Sequence, residues 1–316
     1  MDVELPSDVE LPSDVEGIDS DSVATSMVSL PSCQDDSDLR SDLELPDDLS
    51  GDNLSDFELP DDLDDEDLST EENLSSGDSY VPLPSSFFGS EASFNVEAIE
   101  VYSPARVLPL VPPGPLGPCR LSLDIITGWN FLDSSLKRSL LSWLESPKAA
   151  RLSSIFLSPP CTVFSPLQKC FRNFEKMPRE LVEQKWGEGM GHLEFSMDIA
   201  ESAVRKSRTF MFEHPQRASS WKQDCVERIE SLPGVGSVCF DQCMLGLRAP
   251  NKKLMKKRAR ILSNNQWLLR TLQNFQCDRS HEHQHIIGSM NGRSLSWWAQ
   301  HYPDDMCRIL AESVRK

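Results

Sequence analysis

The sequence predicts an α/β domain, a mostly parallel β-sheet with helices on both faces, preceded by a long disordered acidic tail. Two observations lead to this prediction. Acidic residues dominate the first 95 of the 316 residues, and short apolar runs alternate with amphipathic segments in the remainder. Such alternation of strands and helices is typical of a parallel sheet that is covered on both faces. We therefore divide the chain into a tail, residues 1–95, and an α/β domain, residues 96–316.

The tail is strongly charged and repetitive. It contains 28 acidic residues and one basic residue, so it carries about −27, whereas the domain carries about +8. The tripeptide Glu-Leu-Pro recurs in it, at residues 4–6, 10–12, 44–46 and 58–60. Large apolar side chains are too few to offset the entropy lost on ordering, so we expect disorder. Three roles fit such a tail: solubilising the protein, docking a protein partner as acidic activation segments do, or competing with nucleic acid for the basic domain.

The periodicity of the domain predicts its elements. Short apolar runs predict strands over residues 96–102, 121–126, 152–157, 209–212, 235–240 and 259–262. Apolar residues three and four positions apart predict helices over residues 133–146, 179–206, 266–275 and 303–314, with another beginning near Ser219 or Ser220. Asp133 or Ser134 caps the first helix, and Pro147 ends it. The last part, about residues 250–316, is basic and contains most of the histidines.

Two of the predicted strands end on loops that carry reactive side chains. Cys161 follows two prolines after one strand, and Glu213 follows a later strand. Because the carboxyl ends of parallel strands meet at one edge of a sheet, we expect the two side chains to lie close together. A thiolate that attacks a ring carbon, beside an acid that protonates a ring nitrogen, suits covalent addition to a heteroaromatic base.

These loops resemble motifs of DNA cytosine-5 methyltransferases. Ser-Pro-Pro-Cys-Thr-x-Phe-Ser at residues 158–165 is similar to the Pro-Cys nucleophile loop of that family, and Phe-Glu-His-Pro at 212–215 stands in the place of its Glu-Asn-Val motif. Residues 96–316 resemble more closely the retroelement-associated methyltransferase-like proteins that are abundant in dinoflagellates. The resembling segments include residues 100–104, 123–129, 241–247 and 281–288.

The resemblance implies a Rossmann-like methyltransferase fold, S-adenosylmethionine as the methyl donor, and a cytosine taken from a single strand or flipped out of a duplex. It implies that Cys161 adds to cytosine C6 and that Glu213 contacts N3 and the exocyclic amine. It also implies that four side chains at the ends of the first two strands face the cofactor: Glu100, Tyr102, Ser103 and Asp124.

The chain departs from that family at the cofactor turn. The family's Phe-x-Gly-x-Gly is replaced by Tyr-Ser-Pro-Ala-Arg at residues 102–106, although glycines let the backbone approach a cofactor. An active enzyme therefore requires an open cleft beside Tyr102. A cleft filled by side chains such as Arg106 or Leu108 favours a protein that binds without catalysis.

Each candidate residue also fits a structural role. Cys161 fits a buried thiol, because free cysteines are among the most buried residues. Glu213 fits a turn or helix-capping carboxylate. Asp124 fits the cap of a turn that ends at Gly128.

A second group of residues predicts a zinc site, because thiolate and imidazole are ligands that zinc prefers. It consists of Cys277, His281, His283 and His285. Alternating histidines in an extended segment point to opposite faces, which opposes the convergence of all four. A polar surface loop or a nucleic-acid contact is the alternative interpretation.

Six basic residues form a cluster within nine consecutive positions of the last part of the chain: Lys252, Lys253, Lys256, Lys257, Arg258 and Arg260. It predicts contacts with the phosphates of nucleic acid, for which we expect DNA rather than RNA. A nuclear import signal and a solvated charged face are the alternatives.

Other features restrict the setting in which the protein acts. Neither a signal peptide nor an apolar run of about 18 residues is visible, so we expect no membrane association. The nine cysteines lack a framework of paired spacings, which indicates free thiols and a reducing compartment. We therefore expect an intracellular protein, in the nucleus rather than the cytoplasm.

Three functions are compatible with these features. The first is a cytosine-5 DNA methyltransferase-like protein, active or degenerate. The second is a non-catalytic nucleic-acid-binding accessory protein of a mobile element. The third is an interaction protein in which the acidic tail is the functional part.

Overall fold

The computed structural model describes Phe88 and residues 95–111, 120–170 and 173–316. The predicted tail lies outside these residues, apart from Phe88 and Asn95. Phe88 is buried, and its ring lies 5.2 Å from that of Trp129 and 5.3 Å from that of Trp143. An aromatic side chain of the segment assigned to the tail therefore packs into the core of the domain.

Six strands form the main sheet. They are β1 (Ala98–Val101), β2 (Arg120–Leu123), β3 (Ser154–Leu157), β4 (Thr209–Pro215), β5 (Gly236–Asp241) and β7 (Arg258–Ser263). Their order across the sheet is β2-β1-β3-β4-β7-β5. The first four strands in this order are parallel to one another, whereas β7 is antiparallel to both β4 and β5. The predicted mostly parallel sheet is thus confirmed, with β7 as its exception.

Short pairs of residues form two further ladders. In one, β6 (Leu254–Met255) is parallel to β8 (His283–Gln284), and in the other β9 (Ser289–Met290) is antiparallel to β10 (Arg293–Ser294). The connection from β5 to β7 contains only a 3₁₀ turn and β6, so β7 returns beside β5 without a crossover helix. Antiparallel pairing needs no such helix, which accounts for the reversed direction of β7.

Helices cover the two faces of the sheet. They are α1 (Ser134–Glu145), α2 (Pro166–Cys170), α3 (Asn173–Lys176), α4 (Arg179–Arg205), α5 (Asp224–Glu230), α6 (Gln266–Leu272), α7 (Leu295–Ala299) and α8 (Asp304–Ser313). Side chains that alternate along the strands, among them Ile99 and Ile155, form one core with α1 and α4. The strand residues that alternate with these core residues are buried as well. On the last strands of the sheet, α6 packs on β5 and β7.

The predicted elements are present with shifted ends. α1 begins after Asp133, whose Oδ1 accepts a hydrogen bond of 2.7 Å from the backbone N–H of Ser135. β2 is shorter than predicted, because Asp124 caps a 3₁₀ turn, Ile125–Thr127. β4 is longer, so Glu213 lies within the strand rather than in the loop after it. The extra residues of β4 pair with β7, a partner that local sequence does not reveal.

None of the helices in the described part of the chain combines the length and the apolar composition that crossing a bilayer requires.

Candidate functional site

The end of β3 and the end of β4 meet at one edge of the sheet, as predicted. Leu157 of β3 is the register partner of Phe212 of β4, so the Cys161 loop follows β3 directly beside Glu213. The thiol of Cys161 is close enough to the charges of Glu213 and Lys257 to be affected by both. The structure therefore brings the two predicted catalytic residues together and adds a lysine to them.

Glu213 is buried in a small polar network. Its Oε2 accepts a hydrogen bond of 3.2 Å from the Tyr302 hydroxyl, which lies 2.8 Å from Ser158 Oγ. Since Tyr302 has only one proton to donate, Ser158 is the donor in the second bond. Oε1 of Glu213 has no hydrogen-bond partner among the described residues, and it lies 3.8 Å from Lys257 Nζ. This oxygen is therefore available to accept a hydrogen bond from a ligand.

Burial controls the protonation of the site. It raises the pKa of Cys161 above the ordinary value of a thiol, and the positive charge of Lys257 opposes that shift. It also raises the pKa of Tyr302, so the Tyr302 hydroxyl keeps its proton. The resting Cys161 side chain is accordingly a thiol, and a nucleophilic role requires a base or a ligand that removes the proton.

His214 holds the Cys161 loop against β4. Its Nε2 donates to the carbonyl oxygen of Pro159 at 3.1 Å, and its Nδ1 accepts from Ser220 Oγ at 2.7 Å, an assignment that follows from the hydrogen-bond network. The ring is buried, and burial lowers its pKa to about 3. His214 is therefore neutral at physiological pH and positions the loop rather than transferring protons.

The residues predicted to face a cofactor serve the local backbone instead. Glu100 on β1 is buried, and its carboxylate accepts hydrogen bonds from the backbone N–H groups of Arg106, Val107 and Leu108, at 2.7 to 3.2 Å. Burial raises its pKa to about 7, although these three donors favour the charged form. Glu100 thus fixes the loop after β1.

The other three predicted cofactor residues also have partners within the chain. Tyr102 has a φ of 64°, and its ring packs on Phe131 and His192. The Ser103 hydroxyl donates to the carbonyl oxygen of Pro104 at 2.9 Å. Asp124 caps the turn that follows β2, which is the structural alternative to a cofactor contact.

Arg106 and Leu108, in the loop after β1, have partners within the chain. Arg106 Nη1 donates to the carbonyl oxygen of Gln300 at 3.1 Å, and burial raises the pKa of Asp124 while the nearby Arg106 guanidinium opposes the shift. Leu108 is 1% exposed, and α8 packs on the turn that it begins. The residues at the ends of β1 and β2 therefore do not fit S-adenosylmethionine in the manner that the resemblance implies.

A cavity of about 480 Å³ adjoins the Cys161 loop. The residues that follow that loop line it, as do Pro215 at the end of β4 and Asp241, whose Oδ2 lies 2.9 Å from Arg258 Nη1. Five cationic side chains line the same cavity: Arg217, Lys256, Lys257, Arg258 and Arg279. Since Asp241 is the single carboxylate among the described residues that line it, the cavity favours an anionic ligand.

Half of the predicted basic cluster lines this cavity. Lys256, Lys257 and Arg258 do so, whereas Lys252 and Lys253 are exposed elsewhere on the surface. Lys253 Nζ lies 3.3 Å from Glu282 Oε2. Arg260 forms an ion pair with Glu230 and lies over the Trp221 ring, so its guanidinium serves the packing of the sheet.

Three of the four predicted zinc ligands lie together, and a cysteine that the sequence did not indicate joins them. Cys243, Cys277, His281 and His283 each offer a ligand atom within 4.8 Å of the others. His285 lies outside this group and lines the cavity. The group that the structure brings together thus contains Cys243 in place of His285. The five free thiols of the described residues include both cysteines of the group, whereas Cys239 is disulfide-bonded, contrary to the expectation of free thiols.

Sequence reasoning missed three residues of the site. Tyr302 and Arg217 carry no local motif, and Cys243 lies 34 positions before Cys277. For Cys243 a signal existed, because it follows a strand that ends beside the sheet edge used by the Cys161 loop.

No protein-family model, curated protein or solved structure matches the chain.

Proposed function

We propose that this protein binds DNA through the cationic cavity beside the Cys161 loop, on a methyltransferase-like domain that does not use S-adenosylmethionine. The cavity carries the proposal, since five of its lining side chains are cationic and its one carboxylate is paired with Arg258. Phosphates are the anions that such a surface binds with strong dependence on salt. Glu100 and Arg106 support the second half of the proposal, because backbone N–H groups of the loop after β1 already bind the Glu100 carboxylate, and Arg106 donates to the carbonyl oxygen of Gln300.

Fluorescence anisotropy of the full chain with a labelled single-stranded oligonucleotide tests the binding. Replacing Lys256 and Arg258 with Gln should weaken binding and lower the slope of log K against log salt by about 0.7 for each lost phosphate contact. Lys252→Gln with Lys253→Gln is the matched control, because these lysines belong to the same basic cluster but lie outside the cavity. Equal losses in both double variants would show that the cavity has no special part in binding.

A second function, covalent addition to cytosine, is favoured by a separate observation. The Cys161 loop follows β3 at the strand end next to Glu213, whose Oε1 has no hydrogen-bond partner among the described residues and can meet the N3 and exocyclic amine edge of a cytosine. In this reaction Glu213 takes the proton of the Cys161 thiol, and the sulfur electron pair forms a bond to C6. The C5–C6 π electrons then form a C4–C5 double bond, the C4–N3 π electrons move to N3, and N3 takes the proton from Glu213. The base would be taken from a single strand or flipped from a duplex.

Two measurements separate these functions. Titration calorimetry of the full chain should detect no binding of S-adenosylmethionine at millimolar concentration, and binding would restore the methyltransferase proposal. A covalent complex with a 5-fluorocytosine oligonucleotide, stable to denaturation, would establish addition if Cys161→Ala abolishes it. Cys225→Ala should leave that complex intact, because Cys225 is a free thiol outside the site.

A further inference from the structure

The four side chains Cys243, Cys277, His281 and His283 form a compact group outside the Cys161 site. They come from three parts of the fold: Cys243 from the 3₁₀ turn Gln242–Leu245 after β5, Cys277 and His281 from the segment between α6 and β8, and His283 from β8. Their ligand atoms all lie within 4.8 Å of one another. Convergence from separate elements distinguishes this group from a run of surface histidines.

The backbone holds the two cysteines in place. The N–H of Asp241 donates to the carbonyl oxygen of Phe275 at 2.8 Å, and the N–H of Cys277 donates to Asp241 Oδ2 at 2.8 Å. These bonds dock the segment that carries Cys277 against the end of β5, two residues before Cys243. The positions of both sulfurs are therefore set by the sheet.

The spacing of the ligand atoms fits a tetrahedral ion. Zinc bonds of about 2.3 Å to sulfur and about 2.0 Å to nitrogen place a sulfur and a nitrogen ligand about 3.5 Å apart. Cys277 Sγ lies 3.5 Å from His283 Nε2 and 3.7 Å from His281 Nε2. The backbone N–H of Arg279 donates to the same sulfur at 3.4 Å, and such outer-shell hydrogen bonds orient metal ligands.

We propose that Cys243, Cys277, His281 and His283 bind one structural zinc ion. Two thiolates and two imidazoles are a donor set that selects zinc, and four protein ligands complete its coordination. Zn²⁺ with two thiolates is electrically neutral, so it is compatible with the cations Lys256 and Arg279 on the adjoining cavity wall. The ion joins the turn after β5 to β8 and thereby holds one wall of that cavity, in which Cys243, Cys277 and His283 all take part.

Metal analysis of the purified full chain tests the proposal. We expect about one zinc ion per chain, with an X-ray absorption spectrum of two sulfur and two nitrogen neighbours at about 2.3 and 2.0 Å. Titrating the metal-free chain with Co²⁺ should give the visible absorption of a tetrahedral ion and a thiolate charge-transfer band. Co²⁺ binding without either band, or no metal binding, would overturn the proposal, as would a Cys243–Cys277 disulfide in the freshly purified chain.

Variants identify the ligands. Cys243→Ser should weaken zinc binding more than tenfold, which is the least that loss of even an outer-shell partner usually causes. His285→Asn should leave the affinity unchanged, as should Cys225→Ser, because neither residue belongs to the group. A loss in His285→Asn that equals the loss in Cys243→Ser would contradict the assignment. The Co²⁺ spectrum of the unmodified chain decides the case if a variant does not fold.

Discussion

At the scale of single residues, His214 connects the strand that carries Glu213 to the loop that carries Cys161. Its two ring nitrogens form hydrogen bonds with Pro159 and Ser220. Protonating Nδ1 would therefore break the hydrogen bond that Nδ1 accepts from Ser220. A side chain that is kept neutral by burial makes the stability of the domain depend on pH in a defined direction.

We predict that His214 makes the protein sensitive to acid. Its pKa is about 3 in the folded chain and 6.5 ordinarily, so the unfolded chain takes up the proton first as the pH falls. The stabilisation is complete above pH 6.5 and is lost between pH 6.5 and 3, by about 1.4 kcal/mol for each pH unit. Urea unfolding of the unmodified chain and of His214→Asn at pH 5, 6 and 8 should show this slope as the change in the difference between their free energies of unfolding.

The comparison of variants isolates this contribution. In His214→Asn the difference from the unmodified chain should shrink as the pH falls from 6.5, whereas His285→Asn should keep the slope. A constant difference between His214→Asn and the unmodified chain over this range would show that folding does not lower the pKa of the ring.

At the scale of elements, α4 supports the Cys161 loop through a glycine. A Cβ atom added at Gly189 would lie 2.4 Å from Val163 Cγ2, in the 3₁₀ turn Thr162–Phe164 that follows Cys161. Val163 is β-branched and stiff, so it yields little. Gly187 lies two positions earlier in the same helix, and a Cβ atom there would have open space.

These two glycines should therefore respond in opposite ways to alanine. Gly187→Ala should stabilise the protein by up to about 1 kcal/mol, because alanine is the better helix former. Gly189→Ala should destabilise it, by about 1–3 kcal/mol if the clash behaves as overpacking does. Chemical unfolding measures both changes. Val163→Ala should remove most of the Gly189→Ala penalty, and its failure to do so would place the strain elsewhere.

The elements also show what local sequence can predict. The ends of α1 are predictable almost to the residue, because Asp133 and Pro147 mark them in the sequence itself. The reversed strand β7 and the extension of β4 through Pro215 depend on each other, and neither is visible in a short window. The meeting of Cys161 and Glu213 is predictable, since parallel strands place their carboxyl ends at one edge. The roles of Glu100 and Arg106 in the loop after β1 are not predictable in this way, because their partners are backbone groups that the fold brings to them.

Residues that meet through tertiary structure alone escape prediction. Cys243 joins the histidine segment because β5 and the segment after α6 are hydrogen-bonded at Asp241, and no spacing rule for zinc ligands spans that distance in the chain. His285 has the sequence spacing of a zinc ligand, but its side chain does not join the group. It follows β8, whose pairing with β6 fixes the backbone at His283 and Gln284.

At the scale of the whole molecule, charge is divided between two parts of the chain. Residues 1–80 carry about −26 and residues 81–316 about +7. An anionic segment and the phosphates of DNA are both attracted electrostatically to a cationic cavity. The segment and DNA therefore compete for the cavity. Because the segment and the cavity belong to one chain, the covalent connection raises the effective concentration of the segment near the cavity.

We predict that removing residues 1–80 strengthens binding to DNA. The cut leaves Phe88 with its partners in the core, so the folded domain stays complete. The gain should be largest at low salt and should vanish as the salt concentration rises, because screening weakens the competition at distances beyond about 8 Å at physiological ionic strength. Anisotropy titrations of both chains at 50 and 300 mM salt measure the effect. Adding residues 1–80 as a separate peptide should restore part of the inhibition, while equal affinities of the two chains at low salt would show that the acidic segment does not compete for the cavity.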